Sequence, residues 1–535
     1  MKKLFFLFSV FAIILSCSSD ETSTPVTPPS APIVKYTITL SAGEGGAVST
    51  TGGEYEAGQT VSVTATPQGE YVFTSWSDGN TNPTRTITVS SNNTLAANFE
   101  KRKYPLTINI EGEGEVLEEI VNAGRTTDYD SGTIVKLTAV PAEGWEFVGW
   151  TGAIESEELE VQLLVSEAKE VNTIFIKILS GTSESIQLCE LENYHIERGV
   201  GLGYPRYDYS LKSVGNLKIT LIFVDFDDEP ASRNINDVYN YFNPVSSDFF
   251  SKSSYDKLNI EFEVIDKWYR MSKISSDYLS PPDGSSHHSY LSEALSLADK
   301  DYDFSTTDHF VVVTNPDAKH FVNGPAFQGN SYWNFQADGK IFYSSTNSGY
   351  DLNYWGGLWL NHEVLHNMGL PDLYNYGGDP TWHGFVGEYS IMGLISGFAP
   401  DLFAYEKWML GWLDEADIFC FENGNVVTDI IPLESYSEGS KMIILPISDM
   451  ESLIIENRRA LNLDQNIPDE GVLVYLVDTS ILTGKGTIEI IPKDKSDEQK
   501  KNALLKKGDV LIYDNYQIEV LFNTEDFYRI EITKN

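Results

Sequence analysis

Polar and apolar residues alternate along short runs in the first third of the chain. Tyr36–Leu40 and Leu106–Ile110 follow this pattern, and glycine-rich turns separate such runs. An alternation with a period of two is typical of β-strands that bury one face. Short runs of the same kind return near the end, at 442–446, 471–477 and 516–522. We therefore predict small all-β modules at the start of the chain and a β-rich segment at its end.

The middle of the chain has a different pattern. Residues 218–226 and 309–314 are nearly continuous apolar runs, which predicts strands that are buried on both faces. Residues 289–297 have helical spacing, and 355–368 form a proline-free run compatible with a helix. This region is predicted to be an α/β (α+β) domain.

The β region at the start contains an internal repeat. Phe73 and Trp76 recur as Phe147 and Trp150, with the same separation between the copies. Both copies resemble divergent internalin B-repeat domains. That resemblance implies contact with a host or matrix surface, through these tryptophans if they are exposed. Small β modules usually bury their largest aromatic residue, however, so we expect both indoles to fill a core.

The N-terminus has the form of an export signal. Lys2 and Lys3 precede an apolar run, Leu4–Leu15, that is too short to span a bilayer as a helix. Ser16 and Cys17 follow the run, in a sequence that resembles a bacterial lipobox, whose cysteine is lipidated. The acidic residues that follow resemble the stretch that directs some Bacteroidota lipoproteins to the cell surface. We expect a lipid-anchored outer-membrane protein, exposed at the cell surface on a Pro/Ser/Thr-rich tether.

The run 355–368 contains the motif His362-Glu363-Val364-Leu365-His366. Histidines four positions apart lie on one face of a helix, where both imidazoles can bind one zinc ion. Glu363 lies further round the helix and can act on a water molecule as a general base. Gly369 permits the positive φ with which such a helix can end.

A third zinc ligand is needed, and two residues are candidates. Asp372 follows the second histidine in the spacing HExxHxxGxxD, and Glu406 lies on a later predicted helix. The spacing favours Asp372. Further on, Tyr389–Gly393 resembles a Met-turn, which makes Met392 a candidate for the apolar floor beneath the metal.

The zinc motif and the segments around it resemble immune inhibitor A-like secreted metallopeptidases, over about residues 185–480. Leu370–Tyr374, Tyr405–Leu413 and Pro468–Tyr475 are among the matching segments. The resemblance implies a metzincin-like zinc endopeptidase that acts on proteins or peptides. It also implies that His362, His366 and Asp372 bind the metal and that Glu363 is the base. No inhibitory propeptide is recognisable before this region, where the β repeats lie instead.

Charge and cysteine content narrow the choice of partners and cofactors. The 535 residues include 78 acidic and 37 basic side chains, a net charge of −41 that argues against nucleic acid as a partner. Cys189 and Cys420, the thiols that remain after lipidation of Cys17, can form a disulfide or stay free. Asp225, Asp227 and Asp228 end a predicted strand and either bind calcium or simply solvate a loop.

The patterns predict a multidomain chain with six segments. They are a lipoprotein signal peptide (1–17), a tether (18–34), β repeat 1 (35–102), β repeat 2 (103–178), a zinc metallopeptidase domain (179–424) and a β-rich C-terminal domain (425–535). The predicted function is a surface-anchored zinc endopeptidase. The alternative is a non-catalytic adhesin with a protease-like domain, which the intact zinc motif disfavours.

Overall fold

The computed structural model describes residues 32–120, 128–278, 284–377 and 382–535. The predicted signal peptide, its Cys17 and most of the tether lie outside the described residues. Within the described ranges, no helix is both long and apolar enough to cross a membrane. The chain forms two compact units. The first extends to Ala142 and includes Phe147–Phe175, and the second comprises Glu143–Glu146 and Ile176–Asn535.

The first unit is built from β-strands alone, as the alternating pattern predicts. Its strands are β1 (Lys35–Ala42), β2 (Gly46–Val48), β3 (Gly52–Glu56), β4 (Thr60–Pro67), β5 (Tyr71–Trp76), β6 (Thr84–Thr88), β7 (Asn93–Lys101), β8 (Lys103–Tyr104), β9 (Leu106–Glu111), β10 (Gly114–Ile120), β11 (Tyr129–Asp130), β12 (Thr133–Pro141), β13 (Trp145–Gly152), β14 (Glu160–Val165) and β15 (Lys169–Lys177). The first repeat has sheets of order β3-β1-β7-β5 and β2-β4-β6. The second has β13-β15-β9 and β10-β12-β14, with the pair β11-β8. The repeats share one arrangement, since β1 pairs in parallel with β7 and β9 pairs in parallel with β15.

The two repeated tryptophans fill the cores of their modules. Trp76 and Trp150 are 0% and 2% exposed. Each indole N–H donates a hydrogen bond to a backbone carbonyl, that of Asn82 at 3.0 Å and that of Glu158 at 2.9 Å. The indoles are therefore not available to an outside surface, and any contact through the repeats must use other side chains.

The second unit contains all of the described α-helices. Its elements up to residue 409 are β16 (Gly215–Asp225), α1 (Ile235–Tyr239), α2 (Val245–Ser253), β17 (Leu258–Arg270), α3 (Gly284–Ala298), β18 (His309–Thr314), β19 (Ala326–Gln328), β20 (Phe335–Ala337), β21 (Lys340–Phe342), β22 (Ser344–Asn347), α4 (Leu352–Trp355), α5 (Gly357–Asn367) and α6 (Ala404–Met409). Short 3-10 helices lie at Ile186–Leu188, Ile196–Arg198, Ser275–Asp277, Phe304–Thr306, Glu415–Asp417 and Asn462–Asp464.

A five-stranded sheet of order β17-β16-β18-β22-β19 organises this region. The strands run parallel except β19, which pairs antiparallel with β22 at the edge. Leu221 and Phe223 of β16 belong to the core that also holds residues of α2 and α5, whereas Ile222 and Val224 pack in the core that holds α3. The sheet is thus covered on both faces, and the α/β prediction is confirmed.

The last part of the chain adds two further sheets. Their strands are β23 (Ile418–Cys420), β24 (Asn425–Ile430), β25 (Met442–Ser448), β26 (Glu451–Arg458), β27 (Gly471–Asp478), β28 (Ile488–Ile490), β29 (Val510–Tyr513), β30 (Tyr516–Asn523) and β31 (Tyr528–Lys534). They form the orders β23-β25-β26-β27-β28 and β24-β31-β30-β29. Consecutive residues of β25 face opposite sides of the sheet, so that Ile443 and Ile444 contribute to different cores. The core of Ile444 also contains residues of α5. The predicted β-rich end is confirmed, and it packs against the α/β region.

One expectation about this region is wrong. The helical spacing predicted for residues 289–297 leaves His287 and His288 before the helix, but both lie within α3. His287 is buried and its Nε2 lies 2.6 Å from the side-chain oxygen of Asn347. Burial lowers its pKa to about 4. His288 stacks on Phe335, because α3 packs across the aromatic residues of β19 and β20.

Candidate metal centre

Helix α5 presents the two motif histidines on one side of the helix. His362 and His366 are separated by one helical turn, and their ring centroids are 4.7 Å apart. The helix ends just after His366, and Gly369 takes a φ of 103°, which an L side chain rarely adopts. A Cβ at this position would lie 3.2 Å from the hydroxyl of Ser210. The chain can therefore reverse here and bring Asp372 back towards the histidines.

Three ligand atoms converge at this reversal. Nε2 of His362 lies 3.1 Å from Oδ1 of Asp372 and 3.1 Å from Nε2 of His366, and the distance from His366 Nε2 to the same Oδ1 is 3.2 Å. Ligands bound to zinc at about 2.0–2.1 Å in a tetrahedron are separated by about 3.3 Å. The triangle therefore has the dimensions of three zinc ligands, and all three residues line the cavity described below.

Hydrogen bonds on the far side of each ring fix its orientation. Nδ1 of His362 lies 2.9 Å from the carbonyl oxygen of Ile391, and Nδ1 of His366 lies 2.7 Å from that of Leu370. A carbonyl only accepts, so each Nδ1 carries the hydrogen and each neutral ring presents a lone pair at Nε2. Two lone pairs and a carboxylate oxygen then face one another at about van der Waals contact. A positive charge at their centre, either a proton on one of the rings or a bound cation, makes this arrangement favourable, and the donor set fits zinc.

The electrostatics of the group also favour a positive charge. Burial opposes charge on His366, but the carboxylate of Asp372 outweighs it and raises the pKa of the imidazole to about 9. Burial likewise opposes ionisation of Asp372, and the charge of His366 overcomes this, so that the pKa of the carboxyl is held well below its usual value. Asp372 is therefore an anion that is fully available to a metal.

Glu363 occupies the position expected of a general base. Its side chain borders the cavity next to the ligand group, and its Oε2 accepts a hydrogen bond from the N–H of Ala326 at 2.7 Å. Ala326 begins the edge strand β19, so the sheet itself holds the carboxylate in place. Burial raises the pKa of Glu363, which makes it a better proton acceptor than an exposed glutamate.

The predicted Met-turn lies directly behind the first ligand. Ser390 has a φ of 62°, and Met392 is fully buried. The carbonyl of Ile391 accepts the Nδ1–H of His362, and that of Met392 accepts the N–H of Leu373 at 3.0 Å. The turn thus supports both the first histidine and the segment that carries Asp372. Its role as an apolar floor stays a prediction.

Glu406, the other candidate for the third ligand, forms hydrogen bonds away from the two histidines. It lies in α6 and is fully buried. Its Oε2 accepts hydrogen bonds from the hydroxyl of Ser390 and from the N–H of Phe403, both at 2.9 Å. Burial raises its pKa to about 7. Glu406 therefore joins the Met-turn to α6, and the structure brings Asp372 to the histidines instead.

Two tyrosines at the site were not foreseen from the sequence. Tyr374 stacks near His362 with ring centroids 6.5 Å apart, and the hydroxyl of Tyr376 donates a hydrogen bond to Oδ2 of Asp372. Oδ1 is thereby left to face the histidines. The sequence signal that could have indicated the two tyrosines is their position, two and four residues after Asp372. Tyr389 and Tyr405, which begin two of the segments singled out in the sequence, are packed in the core.

Replacing Tyr376 by phenylalanine is expected to weaken zinc binding by about tenfold, because the second oxygen of Asp372 loses the donor that orients it. Competition with a chromogenic chelator measures this affinity. Tyr354→Phe serves as the control, since Tyr354 is 73% exposed on α4 and is not among the residues that line the site. Equal zinc affinity of both variants would contradict an orienting role for Tyr376.

The ligand group opens into a cavity of about 820 Å³. Its walls include the partly exposed rings of Trp355, Tyr376 and Trp382, together with β19 and the residues that follow the Met-turn. His383 also lines it, with Nδ1 3.0 Å from the carbonyl of Gly393. The cavity is large enough for several residues of a peptide.

The remaining predicted residues lie away from the cavity. Cys189 and Cys420 are both buried and form a disulfide. Asp225 and Asp227 are ion-paired with Arg270, at 2.7 and 3.0 Å. The guanidinium of Arg270 thus supplies to Asp225 and Asp227 the positive charge that the calcium hypothesis assigned to an ion.

Comparisons with known proteins agree with part of this description. Residues 36–103 and 104–177 match the family described as "Divergent InlB B-repeat domain", so the resemblance of both repeats is confirmed. No curated protein matches the chain. Among solved structures, metalloproteinase-II from Bacteroides fragilis aligns over 60% of this chain and 89% of its own, with 13% identity and a TM-score of 0.22. That likeness is too weak to support a fold or an activity.

Proposed function

We propose that the second unit is a zinc-dependent endopeptidase. The observation that carries this proposal is the triangle of His362, His366 and Asp372 ligand atoms at 3.1–3.2 Å, next to Glu363 in a peptide-sized cavity. A structural zinc site is normally closed by four protein ligands, whereas a catalytic site keeps one position open. Three ligands, an adjacent carboxylate and an open cavity favour hydrolysis.

The chain supplies most of the proposed chemistry through fixed groups. Zinc, when bound, acts as a Lewis acid that lowers the pKa of water and polarises a carbonyl. Glu363 accepts the proton of the attacking water and then delivers it to the leaving amine. The N–H of Ala326 holds this carboxylate, and the carbonyls of Ile391 and Leu370 hold the two rings. The residues are thus oriented before substrate arrives.

The shape of the cavity suits a polypeptide. Strand β19 borders it and is the last strand of its sheet, so an extended peptide can add to the outer side of β19 by backbone hydrogen bonds. Trp355 and Trp382 offer apolar surface for side chains. The resemblance of residues 185–480 to immune inhibitor A-like metallopeptidases supports the same substrate class.

Anchoring at the cell surface is a separate part of the proposal. It rests on the basic, apolar and cysteine segments of the first 17 residues and on the Pro/Ser/Thr-rich stretch that follows. Lipidation at Cys17 is expected to give incorporation of labelled palmitate by the parent chain and none by Cys17→Ala. Equal labelling of both would contradict the lipobox assignment.

Cleavage of casein by the full chain tests the proposed activity. We expect cleavage that a chelator abolishes and that added zinc restores, because the ligand group cannot present water to a carbonyl without the metal. A zinc-loaded chain without peptidase activity on a broad range of proteins would favour the adhesin alternative. Cleavage that persists after complete removal of metal would contradict the zinc mechanism.

A further inference from the structure

Three loops meet at the carboxyl ends of the neighbouring parallel strands β17, β16 and β18. The loop after β16 carries Asp228 and Glu229, the loop after β18 carries His320, and the segment after β17 carries Ser275. The carboxyl edge of a parallel sheet is the usual place for ligands in α/β folds. We propose that Asp228, Glu229 and His320 form a second metal site, which binds a divalent transition-metal ion.

The three side chains are close enough to share one ion. Asp228, Glu229 and His320 each offer a ligand atom within 4.8 Å of the other two. Nδ1 of His320 lies 3.5 Å from Oε1 of Glu229. That separation is near the value of about 3.3 Å between two ligands of a tetrahedral zinc ion.

Ser275 holds the group together from the third loop. Its hydroxyl donates to Oδ2 of Asp228 at 2.9 Å, and its backbone N–H donates to Oδ1 of the same carboxylate at 2.9 Å. The hydroxyl oxygen is also 3.0 Å from Nδ1 of His320 and accepts its N–H, so binding of an ion at Nδ1 exchanges this hydrogen for the metal. Asp228 is thereby fixed beside the imidazole, although it lies at the surface of the protein.

Glu229 has no lysine or arginine partner in the described part of the chain, and the ionisable side chain nearest to it is His320, at 3.5 Å. Its Oε1 accepts the N–H of Lys319 at 3.0 Å, but its Oε2 is buried and has no hydrogen-bond partner. A buried carboxylate oxygen without a donor is costly. Neither Asp228 nor Glu229 forms an ion pair with lysine or arginine in the described part of the chain, while Arg270 is taken by Asp225 and Asp227. A bound cation would satisfy both carboxylates.

The donor set determines the class of metal. Calcium and magnesium prefer oxygen ligands alone, whereas an imidazole together with carboxylates suits zinc and neighbouring transition metals. The metal at this edge is therefore a transition-metal ion rather than calcium. Only Asp228 is common to this site and to the calcium hypothesis. The ion would tie three loops together, so its role is to stabilise the sheet edge rather than to perform the hydrolysis.

Counting bound zinc in the full chain tests the site. After removal of metal and titration with zinc, we expect two equivalents in the parent and one in His320→Ala. His320→Ala should retain peptidase activity, because His362, Glu363, His366 and Asp372 are intact. Conversely, a His362→Ala/His366→Ala variant should keep one equivalent, and adding His320→Ala should remove it. The result is thus independent of the proposed activity.

A matched control and a conservative variant guard against effects of misfolding. Asp227→Asn changes an exposed carboxylate of the same loop that lies outside the cluster, and it should keep two equivalents. Glu229→Gln keeps the size of the side chain and should weaken the second equivalent by at least tenfold. Retention of the second equivalent by His320→Ala, or binding of one equivalent only by the parent, would overturn the proposal.

Discussion

Replacing Glu363 by glutamine is expected to leave the zinc affinity of the chain nearly unchanged and to lower the rate of the proposed peptide cleavage by about 10²–10⁴-fold. Glutamine keeps the size of the side chain but cannot accept the proton of the attacking water. The three ligand atoms belong to His362, His366 and Asp372, none of which is altered. Measurement of bound zinc together with kcat/KM separates loss of the base from loss of the metal.

Glu406→Gln is the matched control for this variant. Both glutamates lie in helices of the same unit, but Glu406 bonds to Ser390 and Phe403 rather than facing the ligand group. Its pKa of about 7 means that a neutral side chain is already well populated there near neutral pH. We expect bound zinc and cleavage rate close to those of the parent. Undiminished activity in Glu363→Gln, or loss of zinc in Glu406→Gln only, would contradict the assignment.

Replacing Arg458 by methionine is expected to lower the free energy of unfolding of the second unit by about 3–5 kcal/mol. Arg458 is completely buried, with Nε 2.5 Å from Glu456 and Nη1 2.5 Å from Asp464. Its Nη2 also donates to the carbonyl of Leu402 at 3.0 Å. Without the guanidinium, two buried carboxylates lose their counter-charge. Such a loss is a large part of the stability of a typical domain.

Lower pH should lessen this defect. Burial raises the pKa of Asp464 and of Glu434, a further buried carboxyl on which the charge of Arg458 acts. Arg458 opposes this rise in both groups, so without it both carboxyls bind protons at a still higher pH in the folded chain than in the unfolded chain. The penalty for holding them charged is absent below the unfolded pKa and grows as pH rises towards the folded value. The difference between variant and parent is therefore expected to be smaller at about pH 5.5 than at about pH 8.

Urea unfolding followed by tryptophan fluorescence measures both effects. Arg459→Met is the control, since Arg459 pairs with Glu470, whose side chain is 40% exposed. Arg459 is itself buried, but the carboxylate of Glu470 that loses its partner is exposed enough to be solvated, so this variant should lose much less stability. Equal stabilities of Arg458→Met and Arg459→Met, or a defect that grows as pH falls, would contradict the account of the buried charges.

Much of the fold follows from short-range patterns. The runs 218–226 and 309–314 correspond to the central strands β16 and β18, and the alternating runs correspond to strands of the repeats. The placement of His362, Glu363 and His366 on one helix also follows from spacing alone. Such features depend on residues within one or two turns, where the geometry of the chain is fixed by its own period.

Contacts between segments that are distant in the chain could not be predicted from such short-range patterns. The burial of His287 could not be predicted, because it depends on Asn347, which lies sixty residues further on. Calcium binding and loop solvation both stayed open for Asp225 and Asp227, because nothing near them in the sequence indicates Arg270 as their partner. His320 had no ligand spacing, yet the strand order β17-β16-β18 brings it to Asp228 and Glu229.

By itself, the sequence determined the classes of element, the helix that carries the zinc motif and the type of chemistry that this motif permits. Only the tertiary structure decided which carboxylate completes the ligand group. In the folded chain, Oδ1 of Asp372 faces the histidines and its Oδ2 accepts a hydrogen bond from Tyr376. Glu406 is buried behind the Met-turn, where it accepts a hydrogen bond from Ser390. The physical reason is that helix and strand periods act locally, whereas the partner of a polar side chain is decided when segments far apart in the chain pack together.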